Sequence, residues 1–502
     1  MNKPILWSAE EVRDITGGRW IAAGPAVGSY HRLTFPLQYV QPDTIVLHVH
    51  GRGWPKKTIE GSGQKDMSVD DLIRRSRQHP NVMIVTSQET DIAADIPVLV
   101  VESTYDALFA LAEYQRARFK GRIVGITGTA GKSSTRDFLS AILSAKGATF
   151  ASFGNWNTVE GIALSLANLP PENDFAVIEI SGGAIAGMRG RTALEMVRHH
   201  DAIITSIGVN LTLRTPTAKD VAEVKSKLFS SLPSDGCAYF AADVQEIETL
   251  HSAAGNHRRR VIGDSSTATL AMEPLCEEPG VTRLRVSLRD YTAEVQTHIV
   301  GPGPLSNLAL ASQCALDLGV APELLINTIP ELSLARRKME LHDYAIHDKK
   351  IYLLNDCHNA TLVSFSSVLT YIRRTSNHYK NSIFVIGKIL HIEGLEHDVY
   401  KMLAQDIMNC EPEVVILFAD GLEPLEHSLK LLRANVHRAV EIDRVVGLVE
   451  SSMTDGSMVF LKGSARGTQM RQLAKVLQKQ LESRSIAANQ QPTLRLHPAG
   501  LP

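Results

Sequence analysis

Cysteine is scarce in this chain. Five occur among 502 residues (Cys237, Cys276, Cys314, Cys357 and Cys410), and none sits in a Cys-x-x-Cys pair. An odd number without paired spacing excludes a disulfide framework or a structural zinc site as the organising device. No apolar run approaches the roughly 18 residues that a membrane-spanning helix needs. The opening MNKPILWSAEEV holds one lysine and a very short apolar run, which is not the pattern of a secretory signal. Charge of one sign is also missing. Against 54 acidic residues stand 52 basic ones, a net charge of −2, so no strongly basic domain suits a nucleic-acid backbone. No repeat of solenoid length is visible. The expectation is a protein of a reducing, cytoplasmic setting, with neither nucleic acid nor membrane as partner.

What is present is ordinary globular material, 44% apolar and 21% charged, enough for each domain to bury a core. The length predicts about three domains. Residues 1–118 mix strand-like pieces (Thr44–His48, Val82–Thr86, Val98–Val101) with helical ones (Val69–Gln78, Thr104–Phe119), separated by Gly/Lys/Ser-rich loops around Gly51–Met67. Residues 119–330 alternate strand and helix, with apolar runs at Arg122–Ile126, Phe175–Ile180, Ala202–Ser206 and Cys237–Ala241. That alternation predicts an α/β fold with a parallel sheet. A polar stretch, Ser265–Asp290, interrupts it. Residues 331–484 repeat the alternation, with strands expected at Ile351–Leu354, Ile383–Ile386, Val414–Phe418, Ala439–Ile442 and Met458–Leu461, a second doubly wound, Rossmann-like domain. Residues 485–502 read as a disordered tail.

One segment carries recognisable chemistry. Residues 122–135, RIVGITGTAGKSST, run from a strand into Gly128, Thr129, Ala130, Gly131, Lys132, Ser133 and Ser134, then into a helix. Glycines let backbone N–H groups turn inward around a phosphate, and the following helix adds its positive end. Lys132 offers a point charge to terminal phosphates and Ser133 a hydroxyl to magnesium. The spacing is shorter than the common P-loop, with only Thr129 and Ala130 between the glycines. Glu179 ends an apolar strand at the carboxyl edge, where parallel sheets place their ligands, and can hold magnesium there. Lys225 shares a helix face with Val221, Ala222, Leu228 and Phe229, whereas Lys219 and Lys227 fall among polar neighbours. Such a lysine either snorkels or is buried with a lowered pKa, neutral and reactive.

GITGTAGKSST resembles the ATP loop of the Mur ligase family. Further segments resemble that family in the same order: Gly154-Asn155-Trp156-Asn157, the strand Ala176–Ser181 with Glu179, LPSDGCAYFAAD at Leu232–Asp243, Ser306-Asn307 before an apolar helix, NDCHNA at Asn355–Ala360, and Lys462-Gly463-Ser464 followed by Arg466 and Met470. The branch it is most similar to adds D-alanyl-D-alanine to a UDP-muramoyl tripeptide. The resemblance implies three domains, for acceptor, ATP and amine, and amide formation through an acyl phosphate. It further implies that Asn307 approaches adenine, that Arg337 or its neighbour Lys338 is the linker cation, and that Asp356 helps close the site. Asn155 and Asn157 would face the acceptor, and a carbamylated Lys225 would join Ser133 and Glu179 in holding magnesium. A monomer is the family-like expectation.

Departures from the family pattern direct the substrate expectation. Asn210 stands where a histidine is usual, and His358 where a tyrosine is. Ile386–Ile392 replaces an acidic stretch and brings Lys388 to the expected amine site, where it suits a carboxylate on the amine substrate. Ser29-Tyr30-His31-Arg32 lacks the acid of the uridine-gripping step, and His48–Gly53 matches its counterpart only loosely. The expectation is an ATP- and magnesium-dependent carboxylate–amine ligase with a non-UDP acceptor in a specialised pathway. A divergent peptidoglycan ligase, a non-catalytic Mur-like binding protein and a kinase that stops at the phosphorylated acid remain alternatives.

Overall fold

The computed structural model describes residues 5–22, 28–51, 53–90, 96–209, 217–346, 348–390, 392–465 and 467–490. Three main sheets follow one another along the chain. The first has five strands in the order Arg19–Ala22, Val98–Val100, Val82–Thr86, Thr44–Leu47 and Arg32–Thr34. All neighbours are parallel except the first pair. Val82–Thr86 and Thr44–Leu47 are buried at every position, as parallel strands covered on both faces must be. The expected loop around Gly51–Met67 contains a short helix, Lys56–Ser62.

Helix Thr104–Arg118 begins where the Ser103 hydroxyl accepts the Asp106 N–H at 3.1 Å, a side-chain cap that satisfies one orphan donor. It packs against helix Val159–Ala167. One apolar core therefore runs from Leu6 and Trp7 through Leu108 and Ile162 to Phe240. Polar pins cross the same seam. Trp7 Nε1 donates to the Ala167 carbonyl (3.0 Å), and the Asn168 amide both accepts from Leu33 N (2.9 Å) and donates to Leu33 O (2.8 Å).

The second sheet is wholly parallel, in the order Arg258–Ile262, Cys237–Ala241, Asp201–Ile204, Arg122–Thr127, Phe175–Glu179 and Thr149–Ala151. The chain starts this sheet at Arg122–Thr127, builds to one side, then crosses to the other. The loop after that strand therefore opens into the crevice where strand order reverses, the usual ligand position in such sheets.

The polar stretch expected to interrupt this pattern is an antiparallel meander, Leu270–Glu278, Val281–Leu288 and Tyr291–Thr297. Thr282, Leu284 and Val286 face the core, while Arg285 pairs with Glu273 (3.1 Å) and Glu294 (3.6 Å) on the neighbouring strands.

The third sheet runs Glu340–Ile346, Lys349–Asp356, Ser457–Lys462, Asn381–Ile386, Val414–Leu417 and Val436–Arg438. Its first pair is antiparallel and the rest are parallel. The strand expected at Ala439–Ile442 lies earlier, at Val436–Arg438. Val436 and Arg438 pair with Val415 and Leu417, and Ile442 instead opens helix Ile442–Ser452. Helix Met470–Gln490 runs into the segment expected to be disordered from 485; residues 491–502 lie outside the described residues. Among the described residues, no helix is long and apolar enough to cross a membrane.

Candidate active site

The turn after strand Arg122–Thr127 is built on two glycines. Gly128 and Gly131 have φ of +155° and +85°. A Cβ on Gly131 would strike the Asn307 amide, and one on Gly128 the Thr205 hydroxyl. The loop is braced from the adjacent strand end: Thr129 N donates to Ser206 O (2.9 Å), Ala130 N to Ser206 Oγ (2.9 Å), and the Ser206 hydroxyl to Ala130 O (3.1 Å). Helix Lys132–Ser144 starts directly at Gly131 with no side-chain cap, so its first N–H groups face the crevice as an anion seat. The Lys132 ammonium folds back onto Gly128 O (2.8 Å). Ser133 is partly exposed and Ser134 buried.

Lys225 enters from beneath. Helix Ala218–Ser230 is capped by Thr217 and Asp220 and turns Val221, Ala222, Lys225, Leu228 and Phe229 inward, leaving Lys219 and Lys227 exposed. Lys225 is only 3% exposed, and its Nζ donates to Gly128 O at 2.9 Å. Burial pushes its amine well below the usual lysine range, and nearby Lys132 pushes the same way against the pull of Glu179. The Lys132 amine is lowered for the same first reason, burial, with Glu179 opposing. Glu179 ends its strand, 2% exposed. Asn157 Nδ2 donates to its Oε1 (2.6 Å), and Arg136 Nη1 lies 3.4 Å from Oε2. Two lysines, an arginine and one carboxylate thus surround the loop.

The third sheet supplies a second wall. At the linker, Arg337 and Met339 both have left-handed φ (+64° and +50°). Carboxylates hold this turn: Arg337 N donates to Glu340 Oε2 (2.8 Å), and Met339 N to Asp356 Oδ1 (3.2 Å). Asp356 is itself paired with the buried Lys462. Between them Lys338 reaches across to the Ser134 hydroxyl on the loop helix, 3.5 Å away. Burial lowers the Lys338 amine's pKa, while Asp137 and Glu179 act against that. Of the two linker cations, Lys338 reaches the helix that follows the glycine turn. The buried Nε of Arg337 has no partner among the described residues. Helix Leu362–Arg374 also lies on the loop region, since a Cβ on Gly208 would strike Val363, and Thr129 Oγ1 donates to Gly208 O (3.1 Å).

The remaining expected residues fall as follows. Asn307 is buried against Gly131. Asn157 holds Glu179, while Asn155 is exposed on the turn before it. The imidazole of His358, on the loop after Asp356, is shifted down by its partly desolvated place beside Lys338 and Arg337. Lys388 follows strand Asn381–Ile386 and lies against Gly421, and its charge is felt at Glu423. No hydrogen bond or ion pair among the described residues joins it to the lysine cluster. Asn210, His391 and Arg466 lie outside the described residues. Arg136, Thr205 and Ser206 were not expected. Their signal was present, as hydroxyls just past a neighbouring strand and a cation one turn into the loop helix.

A glycine turn at a parallel sheet's switch point, faced by a second α/β domain across a strained linker, defines a class. A family model, the Mur ligase middle domain, matches residues 126–315, and the chain has the three-domain Mur ligase fold. Its relatives narrow the class. The chain is 22% identical over 386 residues to the UDP-N-acetylmuramoyl-tripeptide–D-alanyl-D-alanine ligase of Bacillus subtilis strain 168, covering 76% of this chain and 81% of that one. A crystal structure of MurF from Acinetobacter baumannii matches with a TM-score of 0.75 at 20% identity, over 94% of this chain and 99% of that one. MurF from Thermotoga maritima in complex with ADP matches at 0.69 and 17% identity, over 90% and 98%. At such identities the structural likeness is one of fold.

Proposed function

We propose that the chain is an ATP-dependent, ADP-forming ligase of the MurF type, joining a carboxylate to an amine on small-molecule substrates in the cytoplasm. The observation that carries this reading is the convergence of Lys132, Lys225, Arg136 and Glu179 from the central domain with Lys338 from the linker. Phosphoryl transfer to a carboxylate brings anions together, and catalysis is then positioning and charge neutralisation. In this reading the loop amides and Lys132 seat the triphosphate, Lys338 neutralises charge from the opposite wall, and Asn307 closes the loop on the adenine side. The acceptor carboxylate attacks the terminal phosphorus and ADP leaves. The amine then displaces phosphate from the acyl phosphate.

Magnesium suits the donors present. Among the described residues no group of three or more His, Cys, Asp or Glu side chains converges, and magnesium favours one or two protein ligands plus phosphate and water. Ser133 Oγ and Glu179 would hold it, and the ion would supply charge neutralisation of the triphosphate. Lys225 cannot serve as an ammonium. Burial lowers its pKa, and its neutral form would attack carbon dioxide, releasing a proton and leaving a carbamate. Asn155 would face the acceptor, Asp356 would hold the closed linker, and Lys388 would receive a carboxylate of the amine substrate.

A second reading of the acceptor rests on Ser29–Arg32. Tyr30 is fully buried, Arg32 lies over the Phe153 ring at 5.7 Å, and the step carries no acid, which favours an acceptor without uridine. A phosphate-release assay with UDP-N-acetylmuramoyl-tripeptide and D-alanyl-D-alanine, with the product weighed, decides. Amide product supports the muramoyl reading, and turnover only with other acids supports the second. ATP binding without turnover for any pair would leave a binding protein.

A further inference from the structure

Arg136 stands between two carboxylates, and the ligase reading gives it no task of its own. It lies one turn into helix Lys132–Ser144 and is buried. Its Nε and Nη2 both donate to Asp137 Oδ1 (2.9 and 2.6 Å), and its Nη1 donates to the Gly154 carbonyl. These bonds tie the guanidinium to its own helix and to the turn before Asn157. The same Nη1 lies 3.4 Å from Glu179 Oε2, the longest of these contacts. Arginine presents its donors in a rigid fork. A guanidinium fastened at Asp137 and Gly154 therefore keeps its charge beside Glu179 whether or not Glu179 holds it there.

Glu179 thus has a partner within the protein at each oxygen. Asn157 Nδ2 donates to Oε1 at 2.6 Å, Arg136 meets Oε2, and the Arg136 and Glu179 side chains are only 9% and 3% exposed. Lys132 and Lys338 are coupled to the same carboxylate. Charges in so dry a place are weakly screened. A free dication approaching Oε2 meets an anchored guanidinium with Lys132 and Lys338 behind it. A dication carried by a triphosphate arrives with anions that offset those cations. We propose that Arg136 is a positioning residue that reserves Glu179 for a divalent ion delivered with the nucleotide and closes that carboxylate to the free ion. This deepens the ligase reading above and rests on its choice of Glu179 as the metal carboxylate.

Arg136→Ala in the full chain tests it, with manganese as the probe and electron paramagnetic resonance of the free ion as the readout. Breaking a buried ion pair leaves the remaining charge uncompensated, so the variant should melt below the wild type in chelator. Without nucleotide, manganese should bind the variant roughly tenfold or more tighter than the wild type. It should also raise the variant's melting temperature by mass action and leave the wild type's unmoved. With ADP present the two affinities should converge. Arg136→Lys keeps the charge and should restore wild-type behaviour. Adding Glu179→Gln to Arg136→Ala should abolish the response to manganese. Should Arg136→Ala not fold in chelator, Arg136→Gln, which keeps a donor for Gly154 without the charge, carries the same expectation. Equal manganese affinities of variant and wild type without nucleotide, an Arg136→Lys chain that behaves as Arg136→Ala does, or a response that survives Glu179→Gln would each overturn the proposal. A wild type that takes up no manganese even with ADP would refute the ligase reading itself.

Discussion

A buried amine beside another amine destabilises a fold unless something takes up its charge, and Lys225 is that case. Periodicity alone placed it among Val221, Ala222, Leu228 and Phe229, because a helix face is legible from spacing. Its two partners were not legible: the Gly128 carbonyl and the Lys132 ammonium come from distant positions in the chain. Because burial and Lys132 hold the Lys225 amine below its usual range, the unfolded chain binds more protons than the folded one between that lowered value and about 10.4. Stability therefore rises with pH across that window. Lys225→Met removes the effect. In carbon-dioxide-free, metal-free buffer its melting temperature should exceed the wild type's at pH 7, and the gap should narrow toward pH 10. Turnover should fall roughly 100-fold or more if, as proposed, a carbamate on Lys225 would help hold the metal. Equal melting temperatures across the range would show that folding does not lower the Lys225 pKa.

At the scale of elements, the strands of the parallel sheets were legible because burial on both faces writes them as continuous apolar runs such as Val82–Thr86. The meander was not, because its alternating Arg283 and Arg285 gave the stretch a loop-like polarity although every second residue, from Thr282 to Val286, points inward. The displaced strand at Val436–Arg438 failed for the opposite reason. Its outward His437 is polar, while the apolar residues after it serve a loop and the start of a helix. The glycine turn after Arg122–Thr127 was the most legible element, since only glycine serves where φ is positive and a neighbour is in contact. Gly131→Ala tests this. The added methyl must displace the Asn307 amide and adopt a left-handed backbone, a strain of about 1–2 kcal/mol before any clash is counted. ATP affinity should fall at least tenfold, measured by titration with the nucleotide, while the far-ultraviolet dichroism is retained. Wild-type affinity in this variant would show that the loop does not bind the triphosphate.

At the scale of the molecule, the relation between central and C-terminal domains depends on a short segment that sequence could flag as cationic but not as strained. Arg336, Arg337 and Lys338 are consecutive, and resemblance pointed to Arg337 first. The backbone turns Lys338 toward Ser134 because Glu340 and Asp356 fix the N–H groups on either side of it. A negatively charged ligand between Lys132 and Lys338 would add attraction across the gap and shift the population toward the docked arrangement. The exposed Arg336 beside this turn is a natural trypsin site. ATP with magnesium should slow tryptic cleavage in the 336–338 segment roughly tenfold. Lys338→Ala should abolish most of that protection while Arg337→Ala retains it, with the cleavage site read by mass. Protection that survives in Lys338→Ala and disappears in Arg337→Ala would assign the bridging charge to the other cation, and no protection in the wild type would show that nucleotide does not draw the domains together.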